Sequence, residues 1–435
     1  MDNLQRIKQS LSFRLTIIGL LSLVLLIPAH MIQSLIIERQ DRRDNAIKEV
    51  SQKWGGSQIL TGPILSIPFR DTSKTKYIHF LPDELMIKAS INPDIRYRGI
   101  YEVALYNAQL QIEGNFSIAG VERLGIPADR LIWNDAFIAI GISDMKGIKN
   151  LIKIKWNQKE YDATPSIQST DILASGISIK PGFDKNFNDK FKFSSAINLN
   201  GSSSLMFSPI GKITQVDISS TWQNPSFTGN FLPETYDVLS NGFKAKWQIF
   251  HLNRNYPQYW IGDQYNPTNS NFGVNLYIPV DEYQKTMRMS KYAIMFIALT
   301  FLSFFLIELL NRKVIHPIQY ILIGFALLVF YTLLLSFSEH VAFGYAYLIA
   351  SLGIVTLITA YTKTVLKSNL QTIIIAALLT VLYALLYVVL QLEDFALLMG
   401  SIGLFIILAI VMYITRSIDW FSIVTTQEKP DKSLK

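Results

Sequence analysis

Two apolar runs set back to back, Tyr292 to Asn311 and Ile318 to Phe337, constrain this chain more than any other feature. Each is about 20 residues long, and at about 1.5 Å per residue a helix of that length crosses the ~30 Å hydrocarbon core of a bilayer. They read as a membrane hairpin. Further runs at Val341 to Tyr361, Leu370 to Gln391 and Phe395 to Ile414 follow it, and Leu15 to Ile37 precedes it near the N-terminus. The composition agrees: 50% of the residues are hydrophobic and 17% charged, too apolar for an ordinary soluble protein and too polar for membrane throughout.

The run at 15–37 follows a basic segment, 1–14, as a signal peptide would. It is longer than the h-region of such a peptide, and no small-x-small cleavage site ends it, so an uncleaved span kinked at Pro28 is expected. Residues 38–56 carry apolar side chains at helical spacing (Ile47, Val50, Trp54) up to Gly55-Gly56, a helical stalk.

From 57 to 280 the period changes to two. Leu110, Ile112, Phe116 and Ile118 alternate with polar neighbours, as do Ile152, Ile154 and Trp156, and Phe243, Ala245, Trp247 and Ile249. Turn pairs such as Pro82-Asp83, Asn200-Gly201 and Asn241-Gly242 separate the runs. Many short alternating strands predict an antiparallel sandwich or barrel, as one extended sandwich or two. The expected architecture is an α+β membrane protein: six transmembrane helices, with a large exported antiparallel β-sandwich-like domain inserted between the first and second, a linker at 281–291, and a polar tail at 415–435.

Positive charge in short loops sets orientation. Arg312, Lys313, Lys363, Lys367 and Arg416 fall between spans two and three, between four and five, and after six, whereas the loops at 338–340 and 392–394 hold no Lys or Arg. Both termini are therefore expected in the cytoplasm, with residues 38–291 outside, in the periplasm of a Gram-negative cell.

Ionisable groups inside spans are costly, and they point to function by default. Glu308 is the acidic residue within the later spans. It can pair with Arg312 one helical turn on, or meet His316 across the loop as a protonatable pair. His316-Pro317 also suits a helix start. Glu339 and His340 close the third span as a polar turn or as a contact between membrane and exported domain. In the exported domain, Ser143, Asp144 and Lys146 read as a turn, and His79 and His251 stand far apart without a metal-ligand spacing. Cysteine is absent, which removes disulfides and thiolate chemistry. No catalytic, cofactor or metal residues are assigned, and the scattered basic residues behind the net charge of +7 leave no nucleic-acid footprint. The partners expected are the lipid bilayer and an envelope component. Small residues at Ala346/Ala350 and Ala396/Gly400 suit packing within the bundle, with a homo-oligomer as the second reading.

The stretches KYAIMFIALTFLSFFLIE, HPIQY, LLLSFSEH and AYLIAS, with SQKWGGSQILTGPILSIPF, YRGIYEV, GISDMKGI, STWQNPSFTGNFLP, GFKAKWQIFHLNRNYPQ and PVDEYQKTMRMSKY upstream, resemble the CreD inner-membrane proteins. The resemblance implies a cell inner-membrane protein linked to a two-component regulon, affecting envelope integrity and tolerance to E-type colicins. The residues and the resemblance together suggest a non-enzymatic protein presenting a binding or sensing domain. A transporter or channel with Glu308 as coupling group is the alternative, disfavoured because the last three spans hold no Asp, Glu, Lys, Arg or His.

Overall fold

A computed structural model describes residues 11–71, 74–118, 126–127, 130–183, 190–276, 278, 282–311, 315–392 and 395–416. The chain forms two units, Met1–Arg42 with Val280–Lys435, and Arg43–Pro279.

The first apolar run is helical in two pieces, α1 (Leu11–Val24) and α2 (Leu26–Trp54). The break at Leu25 has a local cause. Pro28 lacks an N–H, and its ring crowds the carbonyl four residues earlier, at Val24. α2 runs on without interruption through the polar residues to Trp54, so the span and the stalk share one helix, which takes part in both units.

The rest of the first unit is α3 (Glu282–Ser290), α4 (Ala293–Asn311), α5 (Pro317–Ser338), α6 (Phe343–Leu366), α7 (Asn369–Gln391) and α8 (Ala396–Thr415). Among the described residues five helical segments are long and apolar enough to cross a membrane, or six if α3 and α4, bent by 45° at their break, count as one. The fourth apolar run continues as helix to Leu366, so Lys363 lies in its last turn. Where helices meet they bury aromatic rings: Phe330 of α5 packs edge-on against Tyr383 of α7 with centroids 4.7 Å apart. Ala346 and Ala350 are both fully buried in this core. Their small side chains are taken up by packing within the chain.

The second unit is built from β1 (Gln58–Asp71), β2 (Lys74–Phe80), β3 (Glu84–Arg98), β4 (Tyr101–Ser117), β5 (Phe137–Ile142), β6 (Lys153–Trp156), β7 (Lys159–Asp162), β8 (Gly176–Ile179), β9 (Lys190–Ser202), β10 (Ser204–Phe207), β11 (Ile213–Ser220), β12 (Pro225–Gly229), β13 (Thr235–Leu239), β14 (Gly242–Phe250), β15 (Tyr259–Ile261) and β16 (Phe272–Leu276). One sheet runs β12-β16-β10-β1-β2-β15, with β5 and β8 attached to β1. The other runs β13-β14-β11-β3-β4-β9-β6-β7. Side chains of both contribute to one continuous apolar core.

The alternating runs form the second sheet. In β3 every other residue is buried, Leu85, Ile87, Ala89 and Ile91, while Glu84, Met86, Lys88 and Ser90 face outward. The stretch Leu60–Phe69 of β1 shows no alternation because both its faces are covered. The expectation of purely antiparallel sheets fails at two places. β1 pairs parallel with β10, Gln58 opposite Leu205, and β11 pairs parallel with β3, Ile213 opposite Glu84. Parallel neighbours need long crossovers, and here each partner is more than a hundred residues away along the chain, beyond the reach of local patterning.

Candidate functional sites

Glu308 lies in the last turns of α4, where the apolar sequence that makes the helix also removes water, and its residue exposure is 4%. A carboxylate so placed must be paired. Its Oε1 accepts from Arg14 Nη1 of α1 at 2.8 Å, its Oε2 from the Tyr320 hydroxyl of α5 at 3.1 Å, and the backbone of Ile315 adds a third hydrogen bond. Arg312, the partner expected from spacing, lies outside the described residues. His316 does not join the carboxylate either. It caps α5, its Nδ1 accepting from Ile318 N at 3.3 Å while Gln319 Oε1 accepts from His316 N at 2.9 Å. Pro317 follows at the first helical position, so the His-Pro pair starts a helix.

Glu339 ends α5 and has the same kinds of partner. Its Oε1 accepts from the Tyr283 hydroxyl of α3 at 2.9 Å, and Arg39 Nη1 of α2 stands 3.7 Å from Oε2. The Arg39 side chain is 40% exposed and the distance is long, so the tyrosine bond carries most of this contact. His340 is exposed and turns back onto its own helix, Nδ1 lying 3.1 Å from Ser336 O. Glu339 and His340 therefore act apart.

Arg14 and Arg39, 25 residues apart, clip the N-terminal helices to the bundle at two levels separated by about 37 Å along the helix, close to the width of a bilayer with its interfaces. In the sequence Arg14 belongs to the basic segment before the first span and Arg39 to the stalk, and nothing in their spacing identifies Tyr320 or Tyr283. An arginine and a carboxylate almost three hundred residues apart become partners only when the helices assemble.

In the β unit the exit of α2 is knotted into the sheets. Trp54 Nε1 donates to Tyr106 O at 3.3 Å, and the Arg96 guanidinium sits 4.0 Å above the indole ring. Glu49, one turn earlier, accepts from both Lys53 and Arg98, which hold its carboxyl below the ordinary range. Asp144 Oδ2 accepts from Gly56 N at 2.9 Å, and Ser143 Oγ accepts from Ile59 N and donates to Ser57 O, both at 2.9 Å. Buried Gln58 donates to Asn200 O at 2.9 Å. A Cβ on Gly55 (φ +147°) would stand 2.6 Å from that same Asn200 O. Ser143 and Asp144 do form a turn, and its work is to receive the chain as it leaves the helix.

The strand pairing also assembles a hydrogen-bonded series that no sequence spacing announced. Ser66 of β1 lies opposite His79 of β2. Ser66 Oγ is 2.8 Å from His79 Nδ1, and His79 Nε2 is 3.2 Å from Asp171 Oδ2. The order is that of a nucleophile, base and orienter. Ser66 and His79 are only 3% and 2% exposed, so no substrate reaches Oγ in this conformation. Burial among Tyr77 and Trp260 holds the imidazole pKa below its ordinary value, against the opposing pull of Asp171. The series reads as a satisfied core histidine. Among the described residues no group of three His, Asp or Glu is placed to hold a metal ion.

Comparison with known proteins gives matches over nearly the whole chain. The family described as Inner membrane protein CreD covers residues 10–421. Inner membrane protein CreD of Escherichia coli (strain K12) is 31% identical over 447 residues, with 98% of each chain covered. Two crystal structures of an M1 zinc metallopeptidase from Deinococcus radiodurans align over 39% of this chain and 39% and 38% of their own, at 8% and 7% identity and TM-scores of 0.19 and 0.18. So slight a likeness carries no inference about fold or activity. By a match over nearly its whole length, the chain belongs to the CreD family of inner membrane proteins.

Proposed function

We propose that this is a non-enzymatic inner-membrane protein that contributes to cell-envelope integrity, its β-sandwich presented in the periplasm between the first and second of six spans and its termini in the cytoplasm. The observation that carries the reading is α2, one helix that begins in an apolar membrane segment and ends welded to both β sheets through Trp54, Gly56 and Gln58. The acidic groups of the bundle support it too. Glu308 and Glu339 are each held by a tyrosine and an arginine, whereas a coupling carboxylate of a transporter exchanges its partners during the cycle.

The absence of native cysteine makes the test direct. Single cysteines at exposed Lys155 and Lys246 are labelled with a membrane-impermeant maleimide in cells with only the outer membrane permeabilised. Labelling there, with none at a cysteine replacing Lys363 until the inner membrane is opened, is the expected result; the reverse pattern refutes the orientation. Flux that depends on charge at Glu308, lost in Glu308→Gln, would favour the transporter reading instead.

A further inference from the structure

The outward face of the second sheet is a trough. Three cavities of 720, 340 and 390 Å³ lie along it. The second and third share Ser90, Ser219 and Lys244, and the first adjoins the second along β3 and β4, from Met86 and Glu113 to Lys88 and Gln111. The trough crosses the strands from Lys155 of β6 to Asp237 of β13, six inter-strand steps, or about 29 Å at ~4.8 Å each. Its dimensions suit an extended chain.

The side chains along it are largely polar, and the charges at its centre are unspent. Lys88 stands directly opposite Asp217, and Asp217 opposite Lys246, with Gln111 on the other side of Lys88. Opposed residues on one sheet face have Cβ atoms about 5 Å apart, close enough for a salt bridge. Among the described residues none of Lys88, Lys244, Lys246 and Asp217 forms one, although lysines elsewhere on the unit do, such as Lys76 with Asp71 and Lys180 with Asp135. The central segment holds these three cations against Asp217, with Asp237 opposite Lys244 at its β13 side, between the amides of Gln109 and Gln111 and the hydroxyls of Ser90 and Ser219. Every strand here except those at the edges has its backbone hydrogen bonds taken by neighbours, so a ligand is read by side chains alone.

We infer that this trough binds a linear anionic glycan, the lysines taking carboxylate or phosphate groups and the amides and hydroxyls taking sugar hydroxyls. An acidic peptide fits less well, since peptides on sheets use free strand edges or apolar pockets for alternate side chains. The inference rests on the presenting-domain reading above and names what is presented.

The test uses the full chain in nanodiscs of neutral lipid, titrated calorimetrically with oligogalacturonate, dextran phosphate, neutral dextran and polyglutamate. One anionic glycan binds at least tenfold tighter than neutral dextran and polyglutamate, and weakens as salt is raised. The tighter of the two identifies the acidic group. Lys88→Gln and Lys246→Gln each weaken it by about tenfold, or 1.4 kcal/mol, while Lys159→Gln, on the same sheet but outside the trough, changes nothing. All three side chains are exposed, so unfolding midpoints stay at wild type. Equal binding of polyglutamate, indifference to the two trough variants, or no binding of either anionic glycan overturns the trough. A cytoplasmic β unit in the labelling experiment would instead overturn the presenting-domain reading and leave the titration result intact.

Discussion

Removing Arg14 should cost the bundle more than removing the carboxylate it pairs with. Arg14→Gln leaves Glu308, with a side chain 5% exposed, as a buried charge compensated among the described residues by Tyr320 and a backbone group, a loss of about 3 kcal/mol. Glu308→Gln leaves Arg14, which is 25% exposed near a helix start and can turn its guanidinium to the headgroups, at a cost of about 1 kcal/mol. In the double variant two amides face each other and Tyr320 keeps an acceptor. The expected loss is about 2 kcal/mol, leaving a coupling of about 2 kcal/mol, well above the ~0.5 kcal/mol at which independent sites add. The assay is equilibrium unfolding by SDS in mixed micelles, followed by circular dichroism at 222 nm, to which the β unit contributes little. Additive losses, or an Arg14→Gln variant as stable as wild type, would refute the buried clamp.

Four smaller perturbations probe the rest. Tyr283→Phe removes the hydrogen bond to Glu339 and should lower bundle stability by about 1 kcal/mol in the same SDS titration, with no change in the melting of the β unit. Asp144→Ala deletes the acceptor for Gly56 N and Lys146 N, and a thermal melt should show a loss of about 2 kcal/mol from the β unit. Gly147→Ala places a Cβ 2.2 Å from Asn200 O and 2.6 Å from Gln58 Nε2, so the knot must shift, at about 2 kcal/mol or more by denaturant titration. The folded-state pKa of His79 lies below its ordinary value of 6.5 because burial opposes its charge, so the unfolded chain takes up that proton first. Its contribution is fully present above pH 6.5 and is lost as pH falls through the folded-state value. A His79→Asn variant should show a smaller drop in melting temperature than wild type between pH 6.5 and about 5, and parallel curves would remove His79 as the cause.

What the sequence determined by itself was whatever repeats within a few residues. Twenty-residue apolar runs identify helices fit for a membrane, because the bilayer punishes any unpaired backbone group wherever it lies in the chain. Alternation in AQLQIEGNFSI and GFKAKWQIF identifies half-buried strands, because one face meets the core and the other meets water. Pro28 and His316-Pro317 mark a helix break and a helix start through the ring and the missing N–H, both local effects. The tertiary structure decided what depends on closing long loops. The parallel pairs β1·β10 and β3·β11, the partners of Glu308 and Glu339, the Ser66–His79–Asp171 series and the knot around Trp54 each join residues that no short-range pattern relates. Their energy is electrostatic or geometric and appears only once the apolar faces have been buried. A charge such as Arg14 therefore looks like a flank in the sequence and becomes a clamp in the fold.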